Sequence, residues 1–90
     1  MSGPGCVRVA LKLYASLTDF LPPEALMTRR MELDVPAGTT VADVIAQRNI
    51  PPRMCHLVLV NGHFIAPADR AARALVHDDE LAIWPPVAGG

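Results

Sequence analysis

Val87-Ala88-Gly89-Gly90, set behind Pro85-Pro86, is the stretch of this chain best suited to do chemistry. Two prolines stiffen the approach, and the side chains then dwindle to hydrogen. A carboxylate on a terminal glycine has no Cβ beside it, so it can thread a narrow channel into a partner's active site. Backbone amides of the partner can hold it there. A carboxylate is a poor electrophile, but transfer to ATP makes an acyl-adenylate with AMP as a good leaving group. A sulfur nucleophile then displaces AMP and leaves a terminal thiocarboxylate. None of these steps asks the carrier for a general base. The competing reading is an ordinary frayed end. At a glycine usage of about 7%, two terminal glycines arise by chance in roughly 0.5% of chains.

Other reactive side chains offer less. His56, His63 and His77 lack the Cys-x-x-Cys or His-x-x-x-His spacing of a zinc site. Asp78-Asp79-Glu80 reads as a solvated turn, because the flanking ligands of a calcium loop are missing. Cys55 has no activating partner in the sequence pattern. With no secretory signal in view, Cys6 and Cys55 read as free thiols, partly buried, and not as a disulfide. Lys12 is the sole lysine. It could accept an isopeptide bond, but a single lysine makes the chain a poor candidate for self-linked polymers. No metal site is expected.

Composition narrows the function classes. The 90 residues suit one domain, and 51% of them are hydrophobic, enough for one core. A domain of this size buries only roughly 60–65% of its unfolded surface, which leaves little room for an enclosed substrate cavity and weighs against a self-contained enzyme. The 8 basic and 9 acidic residues give a net charge of -1, with no nucleic-acid footprint and no polybasic run for an anionic membrane. The longest aliphatic run, Leu57-Val58-Leu59-Val60, is too short to span a bilayer. Met1 to Gly5 has neither the charged nor the apolar region of a signal peptide. A cytoplasmic location is expected.

The elements that must carry the tail are legible in outline. Val7 to Tyr14 alternates, with Val7, Val9, Leu11 and Leu13 on one face and Arg8, Ala10, Lys12 and Tyr14 on the other, as in a half-buried strand. Leu17 to Leu21 can begin a short helix that Pro22-Pro23 ends, and a loop follows. Arg30 to Val35 alternates again, closed by the turn residues Pro36-Ala37-Gly38. Thr40-Val41-Ala42-Asp43 has the form of a capping box. It opens a helix with Val41, Val44 and Ile45 on one face, Arg48 in the last turn and Asn49 in the left-handed region. Leu57 to Val60 reads as an interior strand buried on both faces or nearly so. Asn61-Gly62 is a tight-turn signal, and His63-Phe64-Ile65 can return as a brief strand. Ala71 to Val76 suits either an edge strand or a helical turn. Leu81 to Trp84 is the last strand, with Leu81 and Ile83 inward, and Pro85-Pro86 stops its ladder. The fold class is therefore α+β, a sheet with one main helix across one face. Residues 1–6 are expected to form a disordered lead-in, 7–86 the domain and 87–90 a flexible tail.

Leu81 to Gly90, with Val60-Asn61-Gly62 and Asp78-Asp79-Glu80, resembles the MoaD/ThiS family of ubiquitin-like sulfur carriers, and Pro85-Pro86-Val87 favours the MoaD branch, the small subunit of molybdopterin synthase. The resemblance runs from Val7 onward, with the tail its most specific part. Tyr14-Ala15 and Asp19-Phe20-Leu21-Pro22-Pro23 look closer to β-grasp relatives fused to other domains. The resemblance implies a β-grasp fold with a mixed sheet, and a carrier or small subunit that is not itself an enzyme. It implies adenylation of Gly90 by an ATP-dependent adenylyltransferase of the ubiquitin-activating type and conversion to a thiocarboxylate, with Gly89 giving the slim approach. No bound cofactor is implied, since ATP belongs to the activating partner. The sulfur acceptor would be a catalytic subunit such as the molybdopterin synthase large subunit. In the family, partners dock on an apolar patch beside the tail. Tyr14 and Trp84, with the approach residues Pro85, Pro86, Val87 and Ala88, are the corresponding positions here. Tyr14 and Trp84 could equally cap the rim of the core. Conjugation of Gly90 to lysines as a protein modifier, or service as a non-transferring structural β-grasp subunit, are the alternatives. Nucleic acid and membrane are not expected as partners.

Overall fold

The computed structural model describes residues 5–86. The alternating run near the start forms β1 (Cys6–Leu13), which takes in Cys6 from the expected lead-in and ends one residue before Tyr14. Val9, Leu11 and Leu13 are buried on the core side. β2 (Arg30–Pro36) pairs antiparallel with β1, Leu11 opposite Met31 and Val7 opposite Val35.

Between them the chain makes two short 3-10 segments, Ala15–Phe20 and Pro23–Ala25. The second begins at the second proline, whose missing amide costs nothing at the first helical position. Pro22-Pro23 therefore ends one turn and starts another, where the sequence suggested a plain loop. Leu17, Leu21 and Ala25 from this connection are buried in the core.

α1 (Val41–Gln47) follows the capping box. Thr40 Oγ1 accepts from the Asp43 amide at 3.1 Å, and Asp43 Oδ2 accepts from the Thr40 amide at 3.0 Å. The remaining first-turn amides are met from across the chain. Val41 N–H donates to the Arg73 carbonyl and Ala42 N–H to the Arg70 carbonyl, each at 3.0 Å. This is the role of the ambiguous 71–76 stretch. It is neither a helical turn nor a full strand; it makes a single bridge, Ala74 with Thr40, and sends Leu75 into the core. At the other end Asn49 takes φ 60°. Asn49 and Ile50 then donate back to Ala46 and Ile45, closing the helix as a Schellman motif.

β3 (Leu57–Val60) and β4 (His63–Phe64) form a hairpin through Asn61-Gly62. Both turn residues have positive φ, 52° and 83°, which matches the right-handed twist of the strands. β5 (Glu80–Trp84) lies between β1 and β3, parallel to the first and antiparallel to the second. The sheet order is β2-β1-β5-β3-β4. α1 covers one face, with Val41, Val44 and Ile45 packed into the same core as Leu11, Val58, Leu81 and Ile83. The α+β, ubiquitin-like β-grasp arrangement expected from the sequence is the one observed. Among the described residues no helix is long and apolar enough to cross a membrane.

Candidate functional site

The last strand runs up the middle of the sheet and delivers the chain to its end. Trp84 makes its final ladder contact when its carbonyl accepts from His56 N–H at 3.0 Å. Pro85 follows, buried, and Pro86 is exposed. Neither proline has an amide to donate, so pairing stops here. Val87, Ala88, Gly89 and Gly90, the residues on which the sequence argument turns, lie outside the described residues.

Tyr14 and Trp84 flank this exit. Their rings are stacked with centroids 4.2 Å apart and planes within 1°. Tyr14 reaches this place because β1 and β5 are parallel neighbours, and its amide donates to the Ile83 carbonyl at 3.3 Å. The structure thus joins two residues that sequence reasoning placed separately on outward faces. Each is half-buried, consistent with a shared apolar ledge on the side of the sheet away from α1.

The strand register extends that ledge. Leu57 lies opposite Trp84, and Leu59 opposite both Ala82 and Phe64. These residues share the open face. Leu57 and Leu59 are half-buried, and Phe64 is 59% exposed. β3 is therefore not buried on both faces, as its unbroken apolar run suggested: Val58 and Val60 enter the core while Leu57 and Leu59 face outward. An all-apolar run hides its own alternation, which is why these two were missed. Phe64 could have been found from the Asn61-Gly62 turn, since a two-residue turn fixes the residue pairs that follow it.

The other half of the open face is charged. Arg30 Nη1 meets Glu80 Oε2 at 2.8 Å, and Lys12 Nζ lies 3.8 Å from the other Glu80 oxygen. Arg8 Nε donates to Asp34 Oδ1 at 3.1 Å. That guanidinium holds Asp34 below its ordinary value of 3.8, chiefly through the hydrogen bond. Lys12 stands in this ladder, engaged with a carboxylate. The face thus divides into an apolar half next to the chain exit and an ion-paired half on β1 and β2.

The two motifs outside the tail turn out to hold each other. Asn61 Nδ2 donates to Asp79 Oδ1 at 2.8 Å, and Asn61 Oδ1 accepts from the Glu80 amide at 2.9 Å. Asp79 is buried and also accepts from the Val76 amide. The Asp78-Asp79-Glu80 segment is accordingly not a wholly solvated turn: Asp79 ties the β3–β4 hairpin to the start of β5. Cys55 is buried and Cys6 exposed, both as free thiols.

Comparison with known proteins gives a consistent picture. The model of the ThiS family matches residues 12–90. No curated protein matches the chain. Among solved structures, the HVO 2177 protein of Haloferax volcanii superposes with a TM-score of 0.73 at 24% identity, covering 100% of this chain and 92% of that one. SAMP1 of the same organism gives 0.65 at 26%, covering 92% of this chain and 99% of that one. A Pyrococcus furiosus protein provisionally named molybdopterin converting factor, subunit 1, gives 0.63 at 19%, covering 90% and 99%. At that identity the likeness is one of fold.

Proposed function

The chain belongs to the ThiS family, and from that premise we propose that it is a sulfur carrier whose terminal Gly90 is converted to a thiocarboxylate. The observation that carries this reading is the way the chain leaves the sheet. β5 ends at Trp84 beside an exposed apolar ledge, Pro85-Pro86 turn the chain out of the ladder, and the sequence beyond is Val87-Ala88-Gly89-Gly90.

The chemistry proceeds in two displacements on an activating partner. A Gly90 carboxylate oxygen attacks the α-phosphorus of ATP and pyrophosphate leaves. Hydrosulfide, or a donor of equivalent sulfur, then attacks the acyl carbon and AMP leaves, giving the thiocarboxylate. Gly89 and Gly90 present no side chain to the channel walls. The carrier contributes a docking surface and no catalytic group. Tyr14, Trp84, Leu57, Leu59 and Phe64 would seat the adenylyltransferase, and in turn a sulfur-accepting catalytic subunit. Rigid aromatic anchors beside a narrow tail suit such transient docking. Cofactor biosynthesis, with the sulfur passed to a pterin held by a larger catalytic subunit and molybdopterin as the product, is the destination favoured by the Pro85-Pro86-Val87 approach.

A second reading, attachment of Gly90 to lysines of other proteins, is supported by the likeness to SAMP1 of Haloferax volcanii, a small archaeal modifier protein. Both readings share the activation step. The native host decides between them: a carrier leaves no ladder of covalent adducts on a denaturing gel, whereas a modifier does. Deleting Gly89 and Gly90 abolishes function in either case. Intact function after that deletion would leave a structural subunit instead.

A further inference from the structure

On the opposite side of the sheet from the apolar ledge, an open groove of about 540 Å³ runs between α1 and the 67–71 turn. Its floor and sides are apolar, from Ala42, Ala46, Ile50, Pro52 and Cys55, and one charged side chain, Arg70, stands in its wall. The size falls in the range of small-molecule pockets, which combine an apolar lining with a few polar groups that fix orientation.

Arg70 makes the groove more than a gap in packing. A guanidinium carries five N–H donors and no acceptor. Arg70 Nε and Nη2 are shielded from solvent and find no acceptor among the described residues. Buried polar groups are ordinarily paired, and one that is not calls for a reason. The backbone around Arg70 is fixed, since its carbonyl accepts from Ala42 N–H in the first turn of α1 at 3.0 Å. The wall is thus tied to the helix that forms the other side. Among the described residues no acidic side chain lines the groove.

We propose that this groove binds a small, largely apolar acid, its hydrocarbon body against α1 and Pro52 and its carboxylate accepting from the Arg70 guanidinium. A turn of the Arg70 side chain into the groove uncovers its shielded Nε and Nη2, and the carboxylate then supplies the acceptors they lack, in the planar geometry a guanidinium matches. The site is separate from the chain exit, so occupancy and sulfur transfer are read independently.

Decanoate and its neutral counterpart 1-decanol, each titrated into the full chain by calorimetry, test this directly. Decanoate should bind saturably at one site per chain, and decanol should bind at least about tenfold more weakly, the factor expected for one lost hydrogen bond to a charged group. Arg70→Gln should weaken decanoate to the level of decanol. Ala46→Leu, a substitution that suits the helix and fills the groove, should weaken both. Amide shifts on binding should centre on Ala42, Ala46, Ile50 and Ala71. Equal affinity for acid and alcohol, binding unchanged in Arg70→Gln, shifts confined to Leu59, Phe64 and Trp84, or no saturable binding would each overturn the proposal. A folded spectrum for both variants keeps these outcomes distinct from unfolding.

Discussion

The Tyr14 ring lies flat on the Trp84 ring, 4.2 Å centroid to centroid, at the point where the last strand releases the chain. The pair couples the end of β1 to the end of β5, two strands that are neighbours only through a long crossover. Stacked aromatic pairs stabilise beyond simple area burial. This pair also presents a flat aromatic surface beside the exit, so the same contact serves the fold and the proposed docking.

That coupling is measurable by a double-mutant cycle. Tyr14→Ala and Trp84→Ala, alone and together, should show a non-additive term of about 0.5–1.5 kcal/mol in denaturant unfolding. Each single variant should also weaken binding to an activating adenylyltransferase. Strict additivity would mean that the rings merely sit near one another.

The Asn61–Asp79 pair gives a second test. Asn61→Ala removes two hydrogen bonds and leaves the buried Asp79 carboxylate short of a donor. A loss of about 1–3 kcal/mol is expected. Asn61→Gly keeps the positive φ without strain, so its stability separates the two contributions: most of the loss should remain. Full recovery in the glycine variant would assign the effect to backbone conformation instead.

These motifs show where the sequence was readable and where it was not. The capping box over Thr40 and Asp43, the left-handed Asn49 and the Asn61-Gly62 turn are local devices, and each formed as its residues imply. The alternation of β1 likewise settled which side chains enter the core. The 71–76 stretch was opaque because a backbone carbonyl, that of Arg73, and with it the carbonyl of Arg70 just before it, meet the first amides of α1. Leu57 and Leu59 were missed as surface residues because an unbroken apolar run hides its own alternation, and Phe64 because its place beside them follows from the hairpin register and not from its own neighbours. Tyr14 and Trp84 were identified singly; their contact needs the parallel pairing of β1 with β5, which no local pattern encodes.

The Arg8–Asp34 pair sets an acid limb. Asp34 is lowered from its ordinary 3.8 by the Arg8 hydrogen bond. A carboxylate with a lowered folded value contributes stability that is fully present above the unfolded value and lost as pH falls through the folded one. The contribution should therefore be intact above about pH 5 and fade below the ordinary carboxylate value. Arg8→Gln should shift the acid unfolding limb to higher pH, by a small amount given the pair's exposure. An unchanged limb would show that the pair is not formed in solution.

The two thiols should differ in reactivity. Burial raises the Cys55 thiol above its ordinary range, opposed in part by the charge of Arg70, while Cys6 is exposed. Because the thiolate is the reacting form, iodoacetamide near neutral pH should modify Cys6 first, with peptide mapping showing Cys55 largely untouched. Equal labelling would mean that the α1 side of the core opens readily.

The most direct measurement is the intact mass of the full chain after incubation with an adenylyltransferase of the ubiquitin-activating type, ATP and a sulfide source. A carrier gains the mass difference of one oxygen replaced by sulfur, dependent on ATP and abolished by removing Gly90. A folded chain with Gly90 in place that gains no sulfur, with several such activating enzymes supplied, would contradict the assignment and leave a modifier with a dedicated activator or a structural β-grasp subunit.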